Sequence, residues 1–230
     1  MKSLSGILFD FNGTLFFDSY MHLEAFRRAF SLYTKNIPSD DYMIKNIFGR
    51  TNEAIFKDNI KPDATPEECE KFRTAKVEFY YDICRSSPGK MRLVDGACEM
   101  LDYIKKEGIP YCMSTGSDRD EMEFFFDRLG LERWFSWDNV VYTDGSFQGK
   151  PMPDGYLLAA KRISLSPSEC LVFEDGTAGM RAARAAGAGA VIAVYESTLP
   201  SPMVQVGLAD MERHDLTGWR EILETYGIMR

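Results

Sequence analysis

Gly6-Ile7-Leu8-Phe9-Asp10-Phe11-Asn12-Gly13-Thr14-Leu15 runs from an unbroken apolar segment into an acid, a glycine and a threonine. The apolar part lacks polar alternation, which predicts a strand buried on both faces. A carboxylate at the C-terminal tip of such a strand stands where α/β folds place their ligands. Gly13 lets the backbone turn sharply beside a ligand, and Thr14 adds a hydroxyl suited to an anion.

The pattern repeats along the chain. Leu4–Phe9, Ile109–Met113, Asn139–Tyr142, Cys170–Phe173 and Ala190–Val194 all read as buried strands. Amphipathic helices separate them. Asp95 is expected to cap a helix ending at Gly108, and Asp118 with Glu121 marks a second start that Gly130 ends. Pro153 opens a third helix, and a fourth is expected from Thr177 to Ala186. Strands alternating with helices imply a parallel, doubly wound sheet. From Ser201 onward a last edge strand and helix are expected, without chemistry.

One segment departs from this rhythm. Between about Ser19 and Pro88 the sequence shows helices and no convincing strand. Leu23, Phe26, Phe30 and Tyr33 form a stripe, and Thr65-Pro66-Glu67-Glu68 is a strong helix start with Phe72, Phe79 and Ile83 on its apolar side. The expected organisation is therefore an α/β core from residues 1–18 and 89–230 with a helical insert at 19–88. A helical insert beside a catalytic strand is a means of excluding water and selecting substrate.

Composition narrows the function. The chain has 230 residues, 45% hydrophobic, with a formal net charge of -8. That length supports a sizeable core, and that charge repels nucleic acid and anionic membranes. The five cysteines are scattered without a Cys-x-x-Cys pair, as in reduced core thiols. Met1-Lys2 leads straight into strand-like sequence, and no apolar run is long enough for a bilayer. A cytoplasmic protein acting on a small molecule is expected, with no nucleic-acid or membrane partner.

Four strand ends carry candidate chemistry. They are Asp10 with Asn12 and Thr14; Ser114-Thr115-Gly116; Lys150 in Gly149-Lys150-Pro151-Met152-Pro153-Asp154; and Glu174-Asp175-Gly176. In a parallel sheet all four gather at one edge, as a phosphoryl-transfer set. Asp10 is the candidate nucleophile, forming an aspartyl-phosphate. Asp10, Asp175 and the Asn12 carbonyl are hard oxygen donors suited to Mg²⁺, with Glu174 acting through a metal-bound water. Lys150 neutralises phosphate and keeps Asp10 ionised, and Ser114 with nearby amides holds phosphate oxygens.

Together these segments resemble the four motifs of the haloacid-dehalogenase-like hydrolases, over nearly the whole chain. The likeness is greatest to the branches with a helical cap between motifs one and two, which include the β-phosphoglucomutase-like enzymes and sugar-phosphate phosphatases. It rests on Phe173-Glu174-Asp175-Gly176-Thr177-Ala178-Gly179, on Asp18-Ser19 with His22 and Ala25, and on Gly49-Arg50-Thr51-Asn52. The resemblance implies a Rossmann-like parallel sheet with an inserted all-helical cap, Mg²⁺ as cofactor and a small phosphorylated metabolite as substrate. By the same resemblance Arg50 and His22 are candidate substrate contacts, beside Thr14, Thr115 and Gly116.

Asn12 is the departure. In the family a second Asp stands there, protonates the leaving group and then activates water. An amide does neither, and such help is worth about 10²–10⁴-fold in rate. The expected function is a Mg²⁺-dependent phosphohydrolase, slowed at this step. The alternatives are a phosphosugar mutase of the β-phosphoglucomutase type, or a protein that binds phosphorylated ligands with little turnover. Against the mutase, Ser117 follows Ser114-Thr115-Gly116 where the mutases carry Lys.

Overall fold

The computed structural model describes residues 3–48, 50–197 and 207–229. The described residues divide into two compact units, one built from those up to Phe17 and those from Arg92 onward, the other from Asp18–Met91.

The first unit is α/β. Its strands are β1 (Gly6–Phe9), β2 (Tyr111–Asp118), β3 (Val140–Thr143), β4 (Cys170–Glu174), β5 (Ala190–Val194) and β6 (Met211–Arg213). They form one sheet in the order β3-β2-β1-β4-β5-β6, parallel throughout. β1 sits at the centre, pairing Ile7 with Tyr111 on one side and Leu171 on the other. Every residue of β1, β4 and β5 is buried, which is why these strands read as continuous apolar runs.

The helices of this unit are α5 (Ala97–Lys106), α6 (Arg119–Leu129), α7 (Asp154–Arg162), α8 (Thr177–Ala186) and α9 (Trp219–Thr225). Leu8, Cys112, Val141, Val172 and Val191 project from one face of the sheet onto Tyr156, Ala159 and Ala160 of α7 and Met180 and Ala183 of α8. Small residues on both helices let them lie close to the sheet. The alternate residues Ile7, Phe9, Leu171, Phe173 and Ile192 are equally buried, so the other face is covered too. A fully buried Leu or Phe at such a site is worth roughly 2–3 kcal/mol of transfer free energy.

The second unit is all-helical, with α1 (Ser19–Ser31), α2 (Asp40–Asn46), α3 (Asn52–Asn59) and α4 (Pro66–Ser86). Thr65 and Glu68 make the reciprocal capping box that starts α4. Phe30 and Phe72 meet at 5.6 Å, Phe56 and Phe72 at 5.1 Å, and these rings form the centre of the unit.

Several expectations are corrected in detail. β2 runs on to Asp118, because a register shift against β3 between Ser114 and Asp118 carries the pairing past the apolar run. Gly96, left-handed, precedes α5 in place of Asp95, whose carboxylate pairs with Arg92. On α4 the buried face passes through Lys76 and Tyr80, whereas Phe79 is half-exposed. Tyr33 lies beyond the end of α1 and is 42% exposed, though its ring meets Phe56 and Phe72. Trp134 and Phe135 are core residues and Trp137 stacks on Phe126. Of the five cysteines, all free, only Cys98 is not buried. The C-terminal strand and helix are β6 and α9; residues 201–206 and Gly49 lie outside those described.

Candidate active site

Asp10 follows the last residue of β1, its N–H donating to the Phe173 carbonyl at 2.9 Å. This bond holds the end of β1 against the end of β4. The chain then curls tightly. The N–H groups of Thr14, Leu15 and Phe16 all donate to the Phe11 carbonyl, and Gly13 sits at φ +82°. A Cβ on Gly13 would overlap the Asp175 carboxylate. A side chain at this position is therefore excluded twice, by the left-handed backbone and by the acid packed against it.

The turn leaves Asp10 only 6% exposed. Thr14 Oγ1 donates to its Oδ2 at 2.9 Å, and Lys150 Nζ lies 2.5 Å from its Oδ1. Lys150, after β3, also pairs with Glu174 Oε1 and so bridges the two acids. The Lys150-Pro151 peptide is cis. Glu174 is held on all sides: the Tyr156 hydroxyl donates to Oε1 at 3.0 Å and the Gly176 N–H to Oε2 at 2.9 Å. A Cβ on Gly179 would strike its carboxylate. Asp10, Glu174 and Asp175 each offer a carboxylate oxygen within 4.8 Å of the others.

The electrostatics follow from burial. Desolvation pushes the Asp10 carboxyl up from 3.8 to about 6, with Lys150 opposing and Glu174 adding to the rise. Desolvation pulls the Lys150 ammonium down, and Asp10 and Glu174 more than reverse it, leaving Lys150 above its ordinary range. Burial, then the Glu174 charge, holds the Tyr156 phenol neutral well above its usual range.

Asn12 and the end of β2 complete the edge. Ser117 Oγ donates to Asn12 Oδ1 at 3.0 Å. Thr115, 4% exposed, accepts the Ser117 N–H on its hydroxyl. The Ser114 hydroxyl points at the first turn of α7, where a Cβ on Gly155 would come within 2.8 Å of it. Ser114, Thr115, Gly116, Lys150 and Tyr156 line a cleft of about 20 Å³, room for a water.

Asp10, Asn12, Thr14, Ser114, Thr115, Gly116, Lys150, Glu174 and Asp175 thus belong to one unit and one sheet edge. His22 and Arg50 belong to the helical unit. His22 stacks on Tyr80 at 4.5 Å, with Nε2 3.2 Å from Asp18 and Nδ1 2.8 Å from Lys76 Nζ. Tyr80 OH donates to the same Asp18 oxygen at 2.7 Å. Arg50 pairs with Asp58 and donates to the Asn46 carbonyl at 3.2 Å. Lys45 and Lys57 pair with Asp41 and Glu53 on the surface, and Lys35 is exposed. Tyr156, Ser117, Lys76 and Tyr80 carry no sequence signal of these contacts. Each reads as an ordinary helix or loop residue until the fold supplies its partner.

The chain and its fold have known counterparts. Residues 4–187 match the family model of the haloacid dehalogenase-like hydrolases. The chain is 31% identical over 183 residues to a validoxylamine A 7'-phosphate phosphatase of Streptomyces hygroscopicus, covering 78% of this chain and 81% of that one. It is 30% identical over 194 residues to a fructose-1-phosphate phosphatase of Escherichia coli, covering 81% and 95%. A crystal structure of an Entamoeba histolytica hydrolase of the family superposes with a TM-score of 0.83 at 30% identity, over 99% of this chain and 98% of that one. The chain belongs to the haloacid dehalogenase-like hydrolases.

Proposed function

We propose that this chain is a Mg²⁺-dependent phosphatase of small phosphomonoesters, sugar phosphates among them, working through phosphorylated Asp10. The observation that carries the reading is the Asp10-Lys150-Glu174 cluster with Asp175 alongside. The relatives named for phosphatase action on a phosphorylated sugar or sugar-like compound support the substrate class.

The donor set fits the metal. The carboxylates are hard oxygen donors, and three of them gather within 4.8 Å of one another, as a divalent cation requires. Asp10, Asp175 and the Asn12 carbonyl would hold it, with Glu174 behind. When bound, the cation neutralises phosphate charge and screens it from the acids.

The chain's own residues do the rest. Asp10 attacks phosphorus as the carboxylate, and Thr14 and Lys150 fix its orientation beforehand. Lys150 brings the positive charge that an otherwise acidic edge lacks for an anionic substrate. Glu174, tied by Tyr156 and Gly176, holds Lys150 in place. Thr115, Gly116 and Ser114 border the cleft beside Lys150 and contribute donors for phosphate oxygens.

The test is phosphate release from a panel of phosphomonoesters with Mg²⁺ and with excess chelator, for the native chain and Asp10→Asn. Release that needs Mg²⁺ and disappears in the variant is expected. Substantial release by Asp10→Asn refutes the nucleophile; no release from any compound refutes the phosphatase.

A further inference from the structure

We infer that Asn12 makes this site rank substrates by leaving group: it expels groups that depart as stable anions, acyl and aryl phosphates, far faster than alkyl phosphates. The inference rests on the phosphatase reading and names its preferred substrate class.

The supply of protons at the site decides which groups leave. Expelling an alkoxide needs a proton delivered to the bridging oxygen as the P–O bond breaks. On the C-terminal edge of the sheet, the hydroxyl protons of Thr14, Tyr156 and Ser117 and the ammonium of Lys150 already have acceptors. Thr14 Oγ1 donates to Asp10, Tyr156 OH to Glu174, and Ser117 Oγ to Asn12. Lys150 is shared between two carboxylates. Asn12 is the nearest polar residue after the nucleophile in sequence, and Ser117 fixes its side-chain amide oxygen. What remains of it is an NH₂ group, which donates hydrogen bonds but does not release a proton. The chain's two histidines are engaged elsewhere, His22 with Asp18 and Lys76 in the helical unit, His214 with Tyr195 beyond β6.

The steps balance without an acid. An Asp10 oxygen bonds to phosphorus, the bond to the leaving oxygen breaks, and its electron pair leaves with a carboxylate or phenolate. Water then attacks phosphorus, the bond to the Asp10 oxygen breaks, the carboxylate is restored, and the water proton goes to solvent. The second step also lacks a base. With an acyl phosphate the first step is fast and the second slow, so phospho-Asp10 accumulates. With an alkyl phosphate the first step limits and no phosphoenzyme builds up.

The experiment compares acetyl phosphate, a nitrophenyl phosphate and a hexose 6-phosphate on the full chain with Mg²⁺. The readouts are kcat/KM, which reports the steps through phosphorylation, and the intact mass during turnover. A phosphorylated mass is expected with acetyl phosphate and not with the hexose phosphate. Asn12→Asp is expected to raise kcat/KM for the hexose phosphate by about 10²–10⁴-fold, to change that for acetyl phosphate less than about tenfold, and to abolish the accumulation. Equal gains on both substrates, or an unphosphorylated mass while acetyl phosphate is consumed, overturn the inference and leave the phosphatase standing. Should Asn12→Asp not fold, the native chain's mass spectra decide alone. Neither phosphate nor adduct from any compound removes the phosphatase reading itself.

Discussion

Lys150 carries the heaviest demand of any single residue. It is the ammonium between two buried carboxylates, Asp10 at 6% and Glu174 at 1% exposure. Removing one member of such a cluster costs more than forming it gained, because the remaining charges stay buried without a partner. Lys150→Met is expected to destabilise the protein by about 3–5 kcal/mol near neutral pH and to abolish phosphate release. The pH dependence has a definite sign. Asp10 already titrates near 6, above the 3.8 of a solvated Asp, and loss of the ammonium raises it further. A carboxyl raised in the fold contributes stability that is full below the unfolded value and lost as pH rises through the folded one. The variant's deficit in urea unfolding is therefore largest near pH 8 and shrinks towards about pH 4. A deficit that grows on acidification contradicts the assignment of Lys150 as the counter-ion.

Among the elements, α8 shows how the site constrains a helix that does not itself react. Glycine inside a helix ordinarily costs about 1 kcal/mol relative to alanine, so Gly179→Ala on an open helix would stabilise. Here the added Cβ meets the Glu174 carboxylate, which Lys150, Tyr156 and Gly176 hold from other directions. Overpacking a fixed group costs typically about 1–3 kcal/mol and exceeds the propensity gain. Gly179→Ala is expected to lower both the unfolding midpoint and the rate of phosphate release. A more stable, fully active variant means Glu174 moves aside freely. The sequence showed that α8 begins at Thr177, but not that its inner face had to stay bare. Nor did it show the path of the buried face of α4. Lys76 reads as a surface cation by type, and it is buried with its ammonium over the Phe26 and Tyr80 rings and donating to His22. Polar residues drawn inside by a partner distant in sequence leave no periodic trace. The parallel strands of the core did, because burial on both faces excludes polar residues from them.

At the scale of the whole molecule, the chain carries a net charge of -8 and gathers Asp10, Glu174 and Asp175 within 4.8 Å at one sheet edge. Gathering them was legible from sequence once the strands were taken as parallel, since each acid ends a strand. What was not legible is how Asp10 and Glu174 are neutralised. That depends on a lysine reached through the loop after β3 and on a tyrosine of α7. Folding crowds these three carboxylates around Lys150, whereas the unfolded chain disperses them in water. A cation that binds the folded state alone stabilises it by mass action, by about 2.7 kcal/mol at a hundred times its Kd. Mg²⁺ is therefore expected to raise the melting temperature in a saturable way that chelator reverses. Asp175→Asn removes one ligand charge without removing either partner of Lys150, so it should weaken or abolish the Mg²⁺ shift. A shift of equal size in Asp175→Asn, or one matched by NaCl of the same ionic strength, would identify general screening of the acidic surface instead of a site at the sheet edge.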